Sequence, residues 1–372
     1  MALPLIICRR RFSMRSGAGQ MIAKQAQFFH ELDHDVTVVV ETMSRHNAGR
    51  FPGIRVQRSP GLSRLLMSRE RRDRQYSAQV TDARNTQAGL LIDHGPSFAD
   101  ADISYVHNFL APEFAQRMEE YLPEHGKLPH LREAGREQQI VVANSEMVKR
   151  GVLEKTGLPE RSVIVNYPGY DSSRFNLNTR NEYRGQTRRE LGIDSERLLV
   201  GLITSGNFEK RGLARFLDCI GELQRVNPAI IALVVGGRRW PRQLKAHSCV
   251  RGGTVIFCKS TPAPERYFAA LDVLLHPARY EEFGIVILEA MAMGVPVITC
   301  SAVGASELLR TVSDQLIVPA GADSVASYSQ RVAGVFELND SELTKLGTEL
   351  SEEASLHTFE AHNEKMRKWI DR

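Results

Sequence analysis

The chain has 372 residues, 42% of them hydrophobic and 25% charged, an ordinary globular balance with length for two or three domains. A core of that size needs no disulfide or metal staple. Five cysteines without a CxxC spacing argue against a zinc site or a disulfide framework and suit a reducing cytoplasm. No apolar run approaches the 18 residues a membrane-spanning helix needs. The first apolar stretch, residues 3–8, is followed rather than preceded by basic residues, the reverse of a secretory signal. The net charge of +4 is uneven: residues 1–90 carry 15 Lys and Arg against 7 Asp and Glu, and residues 91–372 carry 33 against 37. Nine arginines and two acids fall between Arg45 and Arg74. That cationic stretch is either a surface facing phosphates, on a membrane or an anionic substrate, or a plain solvated face.

In chain order, residues 3–8 read as a buried strand, residues 21–32 as an amphipathic helix and the β-branched run 35–40 as a second strand, together a βαβ unit. Further strands are predicted at 53–56, 89–93, 103–107, 140–144 and 162–166, with a helix at 145–156 capped by Ser145. Residues 167–184, rich in Pro, Gly, Asn and Ser, read as a linker. A second α/β block follows, with strands at 198–203, 230–235, 254–257, 273–276, 296–300 and 315–318. Its helices are predicted at 213–225, 265–271, 285–293 and 305–310, and residues 343–372 read as helical. Alternating strands and helices imply two parallel sheets covered on both faces. Two such blocks place a cleft between them, with ligands outside the carboxyl ends of the strands.

The segment LLHPARYEEFGIVILEAMAMGVPVIT, residues 274–299, carries the most chemistry. A strand ends at His276-Pro277, a loop carries Glu281 and Glu282, and Gly284 opens a helix that contains Glu289. The amides of Gly284, Ile285 and Val286 at this helix start lack intrahelical partners and form an anion site with the helix dipole. A carboxylate on either side of an anion site makes sense as an acceptor for hydroxyls. A nucleotide-sugar has that layout of ribose diol, diphosphate and hexose.

Glu281 and Glu289, separated by seven residues within E-x-F-G…E-A-M-A-x-G-x-P-V-I, resemble the donor clamp of family 4 retaining glycosyltransferases of the GT-B fold. The shared HPA…E-x-x-G-I-V-x-L-E pattern is similar to that of bacterial lipopolysaccharide core glucosyltransferases. The resemblance implies an α/β architecture of two Rossmann-like domains facing a central cleft. The acceptor domain would span 1–170 and the nucleotide-sugar domain 180–351, with a terminal helix at 352–372 crossing back to the first. It implies transfer of a hexose from a nucleoside diphosphate, with UDP the expected nucleotide, to a saccharide or lipid-linked hydroxyl in cell-envelope glycan synthesis. Glu281 would contact the donor hexose, Glu289 the ribose, and the amides of Gly284, Ile285 and Val286 the distal phosphate or the sugar. In SGNFEKRGL, residues 205–213, Lys210 and Arg211 match the family's basic loop. The arginine that relatives carry five residues before the lysine is here Ser205 or Gly206, so either both cations bind phosphate or one neutralises it alone.

Gly17 and Gly19 in SGAGQ resemble the family's N-terminal glycine loop. Residues 164–175 resemble its interdomain segment, and residues 257–260 a segment that contacts the nucleobase. His107 ends a strand where relatives place a histidine beside the hexose, and His94 is the competing residue. Asp100-Ala101-Asp102 imitates the metal-binding DxD of the other glycosyltransferase fold but precedes a strand instead of ending one. No metal or cofactor is therefore expected, the cations and helix amides taking a metal's role. Glu282 is expected to be peripheral. The expected partners are the donor, the acceptor and an anionic membrane surface met by the Arg45 to Arg74 stretch, but no nucleic acid. The expected location is cytoplasmic, on the inner face of the membrane if peripheral. Two other readings use the same architecture: a nucleotide-sugar 2-epimerase, which would not need the Glu spacing, and a non-catalytic partner subunit.

Overall fold

The computed structural model describes residues 3–14, 17–43, 51–58, 67–95, 97–107, 109, 112, 139–204, 206–237, 239 and 245–371. It divides into two compact units. The first comprises Met1–Glu113, Pro123–Pro168 and Phe359–Arg372, the second Phe114–Leu122 and Gly169–Thr358. Among the described residues no helix is long and apolar enough to cross a membrane.

The first unit is a seven-stranded sheet of β1 (Leu5–Arg11), β2 (Val36–Thr42), β3 (Arg55–Arg58), β4 (Leu90–Asp93), β5 (Ile103–Val106), β6 (Ile140–Ala143) and β7 (Val163–Val165). The spatial order is β3-β2-β1-β4-β5-β6-β7, and every pairing is parallel. Strand side chains alternate between faces, and both faces are covered here, so β1 and β2 are almost continuously apolar. Leu5, Ile7, Val36, Val38 and Val40 pack on one side with Met21, Ile22, Ala26 and Phe29 of α1 (Gly17–Glu31) and with Phe359, Met366 and Ile370 of the C-terminal helix Phe359–Ile370. Ile6, Cys8, Val39 and Leu91 pack on the other side with Tyr76, Val80 and Ala83 of α2 (Arg69–Gln87). Those three residues are the only buried ones on α2, a stripe at i, i+4, i+7 on an otherwise charged helix. Ser68 caps its start by accepting from the Arg71 amide. Ser145 likewise caps α3 (Glu146–Thr156), accepting from the Val148 amide, as its sequence position predicts.

The second unit is a six-stranded parallel sheet of β8 (Leu198–Ile203), β9 (Ile230–Val235), β10 (Val255–Cys258), β11 (Val273–His276), β12 (Val297–Cys300) and β13 (Ile317–Val318), ordered β10-β9-β8-β11-β12-β13. One expectation needs correction. Residues 177–184 of the stretch read as a linker belong to helix α4 (Leu177–Glu190), started by Asn176 accepting from the Thr179 amide. Its buried residues are Thr187 and Arg188. It is held by guanidinium groups instead of an apolar stripe. Arg184 donates to the Ala269, Ala270 and Leu271 carbonyls that end helix Glu265–Ala270. Arg184 and Arg188 both pair with Asp272, and Asp272 also accepts from the Leu199 amide at 2.6 Å.

Candidate active site

In each sheet the strand order reverses beside the first strand, between β1 and β4 in the first unit and between β8 and β11 in the second. Loops leaving the carboxyl ends of those two strands diverge to opposite sides, and the crevice between them is where such sheets bind ligands. Gly17 and His94 follow β1 and β4 beside the first point, and Lys210, Arg211, Glu281 and Glu282 follow β8 and β11 beside the second.

In the second unit the loop after β8 carries Lys210 and Arg211, and the loop after β11 carries Glu281 and Glu282. The loops are pinned to each other. Gly212 has a φ of 72°, and a Cβ there would lie 2.1 Å from the Pro277 carbonyl oxygen, so only glycine permits this approach. The Arg279 amide donates to the Lys210 carbonyl at 3.1 Å. Helix α5 (Leu213–Val226) follows directly. On the other side, the Glu281 amide donates to the Ala302 carbonyl at 3.2 Å, and its carbonyl accepts from Gly304 at 3.0 Å.

The side chains complete the cluster. Glu281 is 4% exposed, pairs with Arg211 and accepts from His276 Nε2 at 3.2 Å. Burial raises the Glu281 carboxyl, but Arg211, His276 and Lys210 together outweigh it and hold it at about 2, so it is ionised throughout the physiological range. Lys210 Nζ lies 3.1 Å from Glu282 Oε2 and above the Tyr280 ring. The expectation of a peripheral Glu282 is thereby corrected: its carboxyl is buried and neutralises Lys210. His276, which the sequence reading noted only as the end of a strand, is fully buried at the end of β11 against the Glu281 carboxylate. Ser205 lies outside the described residues.

Gly284, with a φ of 95°, precedes helix α6 (Ile285–Ala292), and no side chain caps that start. The opening amides of Ile285 and Val286 therefore have no intrahelical acceptor, and both residues are partly exposed. Glu289 lies one turn further on. Crowding by burial pushes its carboxyl up to about 8, Glu265 and Asp171 adding to the rise and Arg174 opposing it. The two carboxylates are thus unlike: Glu281 is held as an anion among cations, whereas the Glu289 carboxyl is held above the usual carboxylate range. The centroids of the Phe208 ring, in the loop after β8, and the Phe257 ring, on β10, are 6.2 Å apart, and the Ser260 amide donates to the Gly237 carbonyl at 2.9 Å.

In the first unit α1 begins at Gly17, so Gly17 and Gly19 lie in its first turn and not in a loop before residue 21; Ser16 lies outside the described residues. His94 follows β4 and His107 follows β5. They are partners, not competitors. His94 Nδ1 and His107 Nε2 are 3.0 Å apart, and the His94, Tyr105 and His107 rings lie within 10° of parallel. Burial holds both imidazoles well below their usual range, so both are neutral at physiological pH. Tyr105, Gln25 and His362 complete this network and escaped the sequence reading. The signal was present in Tyr105-x-His107, two aromatic rings on one face of a strand. Asp100 and Asp102 are held by Arg84, and Asp102 accepts from the Leu91 amide at 2.7 Å, a structural use of the DxD-like pair. Among the described residues no group of three or more His, Cys, Asp or Glu could hold a metal ion.

Residues 200–336 match the family described as glycosyl transferases group 1, and Lys210, Arg211, Glu281 and Glu289 all lie inside the matched region. Over 151 residues, 39% of this chain and 39% of its relative, the sequence is 32% identical to the lipopolysaccharide glucosyltransferase WaaG of Escherichia coli. Over 199 residues, 52% of this chain and 50% of the relative, it is 28% identical to an uncharacterized glycosyltransferase of Methanocaldococcus jannaschii. The matched part spans half or less of these curated relatives. The crystal structure of WaaG covers 98% of this chain and 99% of its own at a TM-score of 0.74 and 17% identity. HepE from Anabaena, solved with UDP-glucose, covers 99% of each chain at 0.76 and 18%. The fold is that of these proteins, two Rossmann-like α/β domains of the GT-B class.

Burial holds His362, in the C-terminal helix, down at about 4, the hydrogen bond to the Tyr167 carbonyl opposing this and Lys365 adding to it. The unfolded chain takes up this proton near pH 6.5. Between pH 6.5 and about 4 the unfolded state therefore binds more protons, and stability falls as pH falls. The stability advantage of wild type over His362→Gln is expected to be full above pH 6.5 and to shrink toward pH 4. Urea unfolding of both proteins at pH 7.5 and pH 5 measures it; an advantage independent of pH contradicts the assignment.

Proposed function

We propose that the chain is a retaining glycosyltransferase that moves a hexose from a nucleoside-diphosphate sugar, UDP-linked, to a hydroxyl of a saccharide or lipid-linked acceptor in cell-envelope glycan synthesis. The single observation that carries this reading is the cluster at the switch point of the second sheet. Two cations, two carboxylates and an uncapped helix start converge there, within a region that matches the glycosyl transferases group 1 family. The relation to a lipopolysaccharide glucosyltransferase supports the envelope setting, and a shared fold with a protein solved with UDP-glucose supports the donor.

The chemistry follows from the charges. The bond from the anomeric carbon to the diphosphate oxygen breaks and leaves negative charge on the diphosphate. Lys210, Arg211 and the amides of Gly284, Ile285 and Val286 stabilise that charge, in a preorganised setting that replaces a metal ion. The acceptor oxygen bonds to the anomeric carbon from the face the diphosphate leaves, and its proton passes to a diphosphate oxygen. This front-face route needs no carboxylate nucleophile, in contrast to the paired carboxylates of retaining glycosidases. Glu281, an anion at every working pH, accepts from hexose hydroxyls. Glu289 accepts from the ribose diol. His107 is the first unit's contact to the hexose, and Gly17 and Gly19 allow close approach of the donor to the α1 start.

Replacing Glu281 with Ala is expected to lower transfer about 100-fold or more, measured as UDP release from UDP-glucose with oligosaccharide and lipid-linked acceptors. Full activity in that variant contradicts the reading. Turnover of donor without acceptor, followed by proton NMR, would instead identify an epimerase.

The cationic stretch adds an anionic membrane surface as a partner. Arg45, Arg50 and Arg64 lie outside the described residues. On α2, Arg69, Arg71 and Arg74 are exposed, whereas Arg72 is half-buried. Changing Arg69, Arg71 and Arg74 to Glu is expected to abolish co-sedimentation with anionic phospholipid vesicles at low salt. Unchanged partitioning returns the charge to a solvated face.

A further inference from the structure

We propose that His94 is a positioning residue, the last link of a directed hydrogen-bond chain that fixes His107 in its Nε2–H form and leaves His107 Nδ1 as an acceptor for a hydroxyl. The chain is read from its far end, where chemistry leaves one option. His362 Nδ1 lies 2.8 Å from the Tyr167 carbonyl oxygen. A carbonyl only accepts, so Nδ1 carries the proton. His362 is buried and neutral, so its Nε2 is a bare lone pair. The Tyr105 hydroxyl, 3.3 Å away, must donate to it. The phenolic oxygen is then an acceptor, and it receives the Gln25 amide N–H at 2.8 Å.

That bond fixes which way the Gln25 amide faces. Its Oε1 lies 2.8 Å from His94 Nε2 and can only accept, so His94 is protonated on Nε2. His94 Nδ1 is then a lone pair, and the nitrogen 3.0 Å from it, His107 Nε2, must be the donor. A neutral imidazole carries one ring proton. His107 Nδ1 is left as an acceptor, and among the described residues it has no hydrogen-bond partner. Five side chains from β4, β5, α1 and the C-terminal helix therefore transmit one constraint, set by the Tyr167 carbonyl, to the candidate sugar contact. The stacked rings of His94, Tyr105 and His107 hold their planes parallel along the way. Gln25 is fully buried, so water does not offer its amide an alternative.

The use of the His107 acceptor in transfer rests on the function proposed above; the chain itself does not. Nitrogen-15 NMR of the full-length protein labelled at histidine, with the His107 signals assigned from a His107→Gln spectrum, reads the ring protons directly at pH 7.5. A single Nε2–H form is expected for His107. In Tyr105→Phe the Gln25 amide loses its orienting acceptor, and His107 is expected to become a mixture of both forms, with kcat falling about tenfold and KM little changed. His107 in the Nδ1–H form in wild type overturns the chain without any variant, and so does a Tyr105→Phe spectrum identical to wild type. A changed ring form with unchanged kcat overturns the role of His107 in transfer and leaves the chain standing.

Discussion

Four charged side chains on two loops organise the second unit. Lys210 and Arg211 leave β8, Glu281 and Glu282 leave β11, and each cation faces one carboxylate. Burying any one of them alone would cost several kcal/mol; together they are neutral, and each loop needs the other. This pairing has a chemical consequence. Under the function proposed above, a diphosphate arriving at the crevice competes for the cations, and the sugar hydroxyls compete for the carboxylates. The ligand therefore exchanges one set of charge partners for another instead of desolvating free ions. The same pairing keeps Glu281 ionised at about 2 while Glu289, a turn inside the helix and without a paired cation, sits near 8.

The first unit solves a different problem with neutral groups. Its candidate sugar contact is an imidazole, whose two nitrogens are interchangeable unless a neighbour distinguishes them. The neighbours here are themselves ambiguous: two imidazoles, a phenol and an amide. Only the backbone carbonyl of Tyr167 has a fixed role, and it is adjacent to the segment that leads into the second unit. Low pKa values for His94, His107 and His362 are what make a directed chain feasible, because a protonated ring would donate from both nitrogens.

Much of this was legible in the sequence, for definite reasons. Strands β1, β2, β8 and β9 carry apolar runs, β-branched in β2 and β9, and their boundaries fall within a few residues of those predicted. Ser145 announced its helix because a cap needs a side-chain oxygen at that position. The carboxylates and cations were legible as a motif, since their spacing along the chain is tied to the strand ends. Helix α4 was hidden because it carries no apolar stripe; guanidinium-to-carbonyl bonds hold it, and those depend on Asp272 and on a helix end that is distant in sequence. Glu282 was misjudged because its role depends on the Lys210 loop folding against it. Gln25 and His362 were hidden because their partners are 69 and 257 residues away.

The central claim is that the crevice beside β8 and β11 binds a nucleoside diphosphate through its paired cations. Titration calorimetry with UDP and with uridine tests it most directly, on wild type and on a Lys210→Met, Glu282→Gln double variant that keeps the buried pair neutral. The account predicts that wild type binds UDP, that the variant binds it about tenfold more weakly, a loss of about 1.4 kcal/mol, and that uridine does not distinguish the two. Equal UDP affinity in both proteins, or no UDP binding by wild type, would contradict it.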